Sequence, residues 1–79
     1  MHFIEMMDER NISFLDAVHI LKNGYHEKKK TCFHDASNKW RYAIRGKTIE
    51  NIDVRVVITF DDNNMIIITV IDLVNKETI

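Results

Sequence analysis

Alternating apolar and polar positions mark the most regular part of this chain, between residues 52 and 73. Residues 52–60 place an apolar side chain at every second position, and residues 65–73 are apolar at nearly every position. β-Branched residues dominate both stretches, and their stiff side chains suit a pleated strand better than a helix. The polar run 61–64 between them favours a turn. The pattern predicts a β-hairpin whose second strand is covered on both faces.

Two shorter helical patterns precede this hairpin. Residues 1–9 carry an apolar stripe at helical spacing. Ser13, followed by Asp16 three residues later, is typical of an N-cap with a capping box. Gly24 follows the last apolar position, and we expect it to adopt the left-handed conformation that ends many helices. The second helix is therefore predicted over residues 13–22.

Two further strands are predicted before the hairpin. Residues 25–34 read as one edge strand, because their lysines would discourage pairing between sheet edges. Residues 39–45 alternate cleanly and form the next strand. The order of elements predicts a single α+β domain over residues 1–79, with two N-terminal helices packed on one face of a four-stranded, mostly antiparallel sheet.

Composition limits the classes of protein to which the chain can belong. Its 79 residues contain one cysteine, which excludes an internal disulfide and fits a reducing cytoplasm. No apolar run approaches the roughly 20 residues that span a bilayer, and the first residues do not resemble a signal peptide. With two glycines and no proline, the chain has no glycine-rich phosphate loop. We expect a cytoplasmic globular domain.

Charge is distributed unevenly along the chain. The net charge is only −1 at pH 7, which by itself argues against binding to nucleic acid. Residues 25–47, however, contain seven Lys and Arg against two acidic residues, whereas the rest contains four against ten. A basic segment set apart in this way can hold a polyanion even when the whole chain is not basic.

Three arginines are the main candidates for binding that polyanion. Arg41 and Arg45 are four residues apart on one predicted strand, so both project from the same face, and Arg55 of the next strand can join them. Guanidinium groups on an uncovered sheet could clamp phosphates. The alternative is a solvated face on which Asp53 or Glu50 pairs with them.

The remaining polar candidates have plain structural alternatives. Lys28 and Lys30 would share a face with His26 and His34, or they would simply protect the sheet edge. The four histidines lack a zinc-site spacing, so we expect no metal and no cofactor. Cys32 is most simply interpreted as a small, half-buried apolar residue. Trp40 and Tyr42 are either core residues or a platform on which an unpaired base stacks.

Short motifs along the chain resemble a known family. The opening His2 to Ile12, the pair Asn23-Gly24, the pair Arg41-Tyr42 and the strand Ile68-Thr69-Val70 resemble domain of unknown function family 4258 (DUF4258). That family is similar to the RelE-like and MqsR-like toxins of type II toxin–antitoxin systems. The positions that match the family pattern are His2, Arg10, Arg41, Tyr42, Arg55 and Thr69.

The resemblance implies a RelE-like domain and a toxin that cleaves mRNA without a metal, alone or on the ribosome, and is silenced by an antitoxin protein. Such cleavage needs a base, an acid and cations around the pentacovalent phosphorane. The catalytic candidates are Arg41, Tyr42 and His34. The candidates for substrate binding are Arg10, Lys28, Lys30, Arg45, Arg55 and Thr69.

Two other functional classes remain open from the sequence. One is a non-catalytic adaptor that forms a homodimer through the apolar strand 65–71. The other is a regulator that holds RNA on the basic face without cutting it, with an affinity that falls steeply with salt.

Overall fold

The computed structural model describes residues 12–74 together with residues 77 and 78. In chain order the elements are helix α1 (Phe14–Asn23) and strands β1 (Tyr25–His26), β2 (Cys32–His34), β3 (Lys39–Lys47), β4 (Asp53–Asp61), β5 (Asn64–Asp72) and β6 (Glu77–Thr78). A single 3₁₀ turn, Lys28–Lys30, separates β1 from β2 and is called the lysine turn below. The helix predicted over residues 1–9 lies outside the described residues.

The predicted architecture of two helices on a four-stranded sheet is wrong. Among the described residues there is one α-helix, and the antiparallel sheet has the strand order β1-β3-β4-β5-β6, with β2 also paired to β3. The difference has two causes: the lysine turn divides the predicted edge strand into two, and a short strand follows β5. The one helix in the described part is too short to cross a membrane.

Helix α1 begins as its sequence predicts and ends differently. The Ser13 hydroxyl accepts the backbone N–H of Asp16, and the Asp16 carboxylate accepts the backbone N–H of Ser13 at 3.0 Å, which completes the capping box. Gly24 follows the helix with φ −79°, so the predicted left-handed conformation is wrong. Glycine is required there for space, because a Cβ would lie 2.4 Å from the carbonyl oxygen of Arg45.

The core lies between α1 and one face of the sheet, called the helix face below. Ala17 and Ile20 of the helix are fully buried against Val54 and Val56 of β4 and Val70 of β5. Tyr42 and Ile44 of β3 pack on the edge of this cluster. The apolar face predicted for residues 52–60 is therefore confirmed as the floor of the core.

The hairpin predicted between residues 52 and 73 is confirmed, with a tighter turn. Asp62 and Asn63 both have positive φ, 47° and 69°, as a two-residue hairpin turn of type I′ requires. The pairing shifts by one residue between Val57 and Ile58, so that Ile68 is an extra residue in β5. Ile67 and Val70, which lie on the two sides of this bulge, are both buried in the core.

Candidate nucleic-acid interface

The face opposite α1 carries the three predicted arginines and is called the charged face below. Arg45 lies directly across from Arg55 in the ladder, and Arg41 lies on the same side of β3 four residues away. The prediction that they share one face is confirmed. Two of them are nevertheless occupied by carboxylates.

Each of these two arginines is held by a bidentate contact. Arg45 donates to Asp53 from Nε at 3.1 Å and from Nη2 at 2.6 Å. Arg55 donates to Glu27 from Nε at 2.6 Å and from Nη2 at 3.2 Å. A phosphate would have to displace a bidentate carboxylate to reach either guanidinium, so these two arginines do not form a vacant anion clamp.

The electrostatics agree with this geometry. The hydrogen bond from Arg55 lowers the pKa of the Glu27 carboxyl, against the opposing effect of its desolvation. The hydrogen bond from Arg45 lowers the pKa of Asp53 in the same way. The contact with Asp53 raises the pKa of Arg45. Both carboxylates are therefore ionised at neutral pH and remain with their partners.

Arg41 differs from the other two arginines. Its side chain has no ion pair with any described residue, and its buried Nε has no hydrogen-bond partner there. It lies across from Cys32, and His34 lies two residues further along β2 on the same face. His34 is engaged locally, with Nδ1 2.8 Å from the Ser37 hydroxyl.

The three predicted catalytic residues do not converge. Arg41 and His34 lie on the charged face, whereas Tyr42 lies on the helix face and packs beside the core. Of the predicted binding residues, Thr69 lies on the charged face across from Val57, two strands away from Arg41. Arg10 lies outside the described residues.

Lys28 and Lys30 do not lie on a strand. They belong to the lysine turn, where all three lysines are exposed. The turn forms a large bulge. Tyr25 pairs with Arg45 and Cys32 pairs with Arg41, so an advance of seven residues along the edge lies opposite an advance of four residues along β3. The three extra residues project from the sheet edge.

The bulge is fixed by contacts to Ala43, the residue it spans. The backbone N–H of Glu27 donates to the Ala43 carbonyl at 2.8 Å, and the Ala43 N–H donates to the Thr31 hydroxyl at 3.1 Å. Ala43 is buried although it lies on the charged face. The odd number of extra residues puts Tyr25 and Cys32 on one face, where strict alternation predicts opposite faces.

Exposed aromatic rings occupy the part of the helix face that α1 leaves uncovered. Phe33, Trp40 and Phe60 are 42 %, 50 % and 53 % exposed. Phe33 and Trp40 meet edge to face with ring centres 5.7 Å apart, and Tyr42 meets Phe60 in the same way at 5.9 Å. These four residues, Phe33, Trp40, Tyr42 and Phe60, are called the aromatic end below.

The lysine turn adjoins the aromatic end. His26, two residues before the turn, lies against Tyr42 with ring centres 5.9 Å apart. Its Nε2 is 2.7 Å from the hydroxyl of Thr31, which directly follows the turn. The lysine turn and Phe33 thus lie on the same edge of the sheet, and Lys30 is also near enough to Glu27 on the charged face to help lower its pKa.

The sequence analysis missed three of the residues described above, two at the aromatic end and one on the charged face. Phe33 and Phe60 were not recognised as exposed rings, and Glu27 was not recognised as the partner of Arg55. The alternation of residues 52–60 already placed Phe60 on the same face as the core residues, and its position next to the turn indicated the exposed end of the strand. No signal in the sequence pointed from Glu27 to Arg55, which is 28 residues away.

Metal ligands are not clustered in residues 12–74: no group of three or more His, Cys, Asp or Glu side chains there could hold an ion. Comparison with curated proteins finds no match, and comparison with solved structures finds none either. The likeness to RelE-like and MqsR-like toxins therefore stays a prediction. The family comparison gives a definite result, because the model of the domain of unknown function DUF4258 matches residues 1–72. The chain thus belongs to the DUF4258 family.

Proposed function

We propose that this protein binds single-stranded RNA, with unpaired bases stacked on the aromatic end and phosphates held by the lysine turn. The observation that carries the proposal is the group of exposed rings together with three exposed lysines in the edge segment that leads into Phe33. Proteins that bind single strands combine these two features, because every base has a face to stack and every nucleotide has a phosphate.

The exposure of the rings favours a ligand over a purely structural role. Trp40 and Phe60 have large apolar side chains, yet each leaves about half of its surface in water. Their edge-to-face contacts hold the rings in fixed orientations, which reduces the entropy lost when a base stacks on them. The aromatic end is thus organised before the ligand arrives.

Within the described residues, the lysine turn adds unpaired cations to the sheet edge on which Phe33 lies, whereas the unpaired Arg41 lies on the charged face. Arg45 and Arg55 on the charged face are held by Asp53 and Glu27, whereas the three lysines of the turn form no ion pair within residues 12–74. Charge that is not already neutralised in the protein is available to a phosphate. Binding on the aromatic end therefore requires no internal ion pair to break.

The single tryptophan provides a direct test of this proposal. Titration with oligouridine at low salt should quench the fluorescence of Trp40 and raise the anisotropy of a labelled oligonucleotide in parallel. Phe60→Ala should weaken binding about tenfold, since stacking on one ring contributes about 1–3 kcal/mol. Leu15→Ala is the matched control, because Leu15 is an exposed apolar residue of helix α1 and does not belong to the aromatic end.

Salt dependence tests the part played by the lysine turn. Replacing Lys28, Lys29 and Lys30 with glutamine should reduce the slope of log affinity against log salt by up to about 2, at about 0.7 per phosphate contact. Unchanged Trp40 fluorescence and anisotropy at low salt would contradict the proposal. So would equal binding by the Phe60→Ala and Leu15→Ala variants.

Cleavage of the bound RNA is a second candidate function, which the resemblance to toxins suggests and the free Arg41 favours. Arg41 is the one described arginine without a carboxylate partner, and His34 lies on its face. If so, the purified protein should cut mRNA in the presence of a metal chelator. Arg41→Ala should abolish this cleavage while leaving the quenching of Trp40 fluorescence by RNA unchanged. Arg45→Ala would be a poor control, because it releases Asp53. Intact RNA after incubation with the wild-type protein, both alone and with translating ribosomes, would leave binding as the function and eliminate the toxin hypothesis.

A further inference from the structure

One edge of the sheet is open in the described part of the chain. Strand β5 pairs with β4 along its whole length, but on its other side it meets β6 only at Ile71 and Asp72. No described residue pairs with the outer side of residues 64–70. Alternate backbone N–H and C=O groups of an antiparallel strand point to each side, so this edge presents a row of hydrogen-bonding groups that the bulge at Ile68 interrupts once.

The two edges of the sheet differ in how they are protected. The β1–β2 edge carries the lysine turn and a bulge of three residues, both of which obstruct the approach of another strand. The β5 edge carries no charged residue between Asn64 and Ile71. Its residues are mostly β-branched, a composition that favours strand pairing. Only the single-residue bulge at Ile68 interrupts it.

We infer that the β5 edge pairs with the same edge of a second copy of this chain, as antiparallel strands around a two-fold axis. Such an interface is isologous, so the strand must be complementary only to itself. An uncharged strand meets this condition, because no like charges face each other across the axis. Ile66 and Ile68 are half-buried in one copy and would lose further contact with water when the second copy is added.

A single-stranded nucleic acid fits this edge poorly. The edge offers no cation, and the hairpin turn beside it carries the acidic residues Asp61 and Asp62. The aromatic end is formed by β2, β3 and β4, so pairing through β5 leaves it accessible. The inference therefore does not depend on the proposed RNA binding.

Sedimentation equilibrium of the full chain tests this interface. The wild-type protein should form a dimer, and Ile66→Lys should raise the dimer dissociation constant at least about tenfold, because a lysine beside an edge discourages strand pairing. Ile49→Lys is the matched control. It makes the same change of side chain and charge in the turn between β3 and β4, where Ile49 is 72 % exposed, and it should leave the dimer intact.

A monomeric wild-type protein at every concentration would overturn the inference. Equal dimerisation of the Ile66→Lys and Ile49→Lys variants would overturn it as well. If circular dichroism shows that Ile66→Lys is unfolded, Ile68→Lys replaces it. Hydrogen exchange of wild-type protein gives an independent result: outward-facing amides of residues 65–70 should exchange more slowly as protein concentration rises, and exchange independent of concentration would contradict the second copy.

Discussion

At the scale of single residues, the two glycines show how closely α1 approaches the sheet. A Cβ on Gly24 would lie 2.4 Å from the Arg45 carbonyl oxygen and 2.6 Å from that of Ile20. A Cβ on Gly46 would lie 3.2 Å from the Cα of Gly24 and 3.3 Å from Cγ2 of Ile20, which is close but not an overlap. Both glycines serve the same junction between helix and β3, but a Cβ would overlap backbone atoms only at Gly24.

This difference predicts unequal costs of the same substitution. Gly24→Ala should lower the free energy of unfolding by about 2–3 kcal/mol, because the backbone must shift to remove the overlap. Gly46→Ala should cost about 1 kcal/mol or less, because the close contacts at 3.2 and 3.3 Å need only a small shift of the neighbouring atoms. Urea unfolding followed by circular dichroism measures both. Equal destabilisation by the two variants would show that backbone contact at Gly24 does not control the junction.

At this scale, the sequence analysis identified important residues more often than it identified the interactions that make them important. Glycine at position 24 was expected because a left-handed residue ends many helices, whereas its backbone is extended and the need is for space. Arg45 was expected on the charged face, and there it is bound to Asp53. Close approach and charge neutralisation depend on partners distant in sequence, and no local pattern encodes them.

At the scale of elements, constant periodicity was a sound guide wherever one element ran without interruption. It predicted α1 within one residue at each end and it predicted β4, whereas a continuous β-branched run predicted β5 and a polar run predicted the connecting turn. Residues 25–34 did not follow it, because three residues leave the ladder at the lysine turn. Because the number of inserted residues is odd, the side chains of β2 point to the faces opposite those that alternation predicts. Phe33 therefore lies at the aromatic end.

The same insertion explains why the candidate site was only partly predictable. Trp40 and Tyr42 lie on an uninterrupted strand, and their possible role in stacking was visible in the sequence. Phe33 joins Trp40 only because the bulge turns β2 over. Strand alternation therefore indicates which residues share a face within one strand. How an edge strand pairs beyond a bulge is known only from the structure.

At the scale of the whole molecule, two carboxylate–arginine pairs connect the bulge to the middle of the sheet. Glu27 reaches across β3 to Arg55 of β4, and Asp53 of β4 holds Arg45 of β3. Ala43 lies beneath the span of Glu27, and its small side chain leaves room for the contact. These pairs stabilise the arrangement of β1, β3 and β4 on the charged face.

Acid should therefore unfold this protein through Glu27 and Asp53. Their partners lower both pKa values in the folded state. Their contribution to stability is therefore complete above the unfolded pKa values of about 4.3 and 3.9, and it is lost as pH falls through the folded values.

Glu27→Gln should cost about 1–3 kcal/mol at pH 7, because Arg55 loses a charged partner. It should also flatten the fall in stability below pH 4, because one of the two carboxyls no longer titrates. The matched control is Glu50→Gln in an exposed turn, which should follow the wild-type curve. Urea unfolding across a pH series gives these slopes, and a Glu27→Gln curve that runs parallel to the wild type would show that the pair with Arg55 does not stabilise the fold.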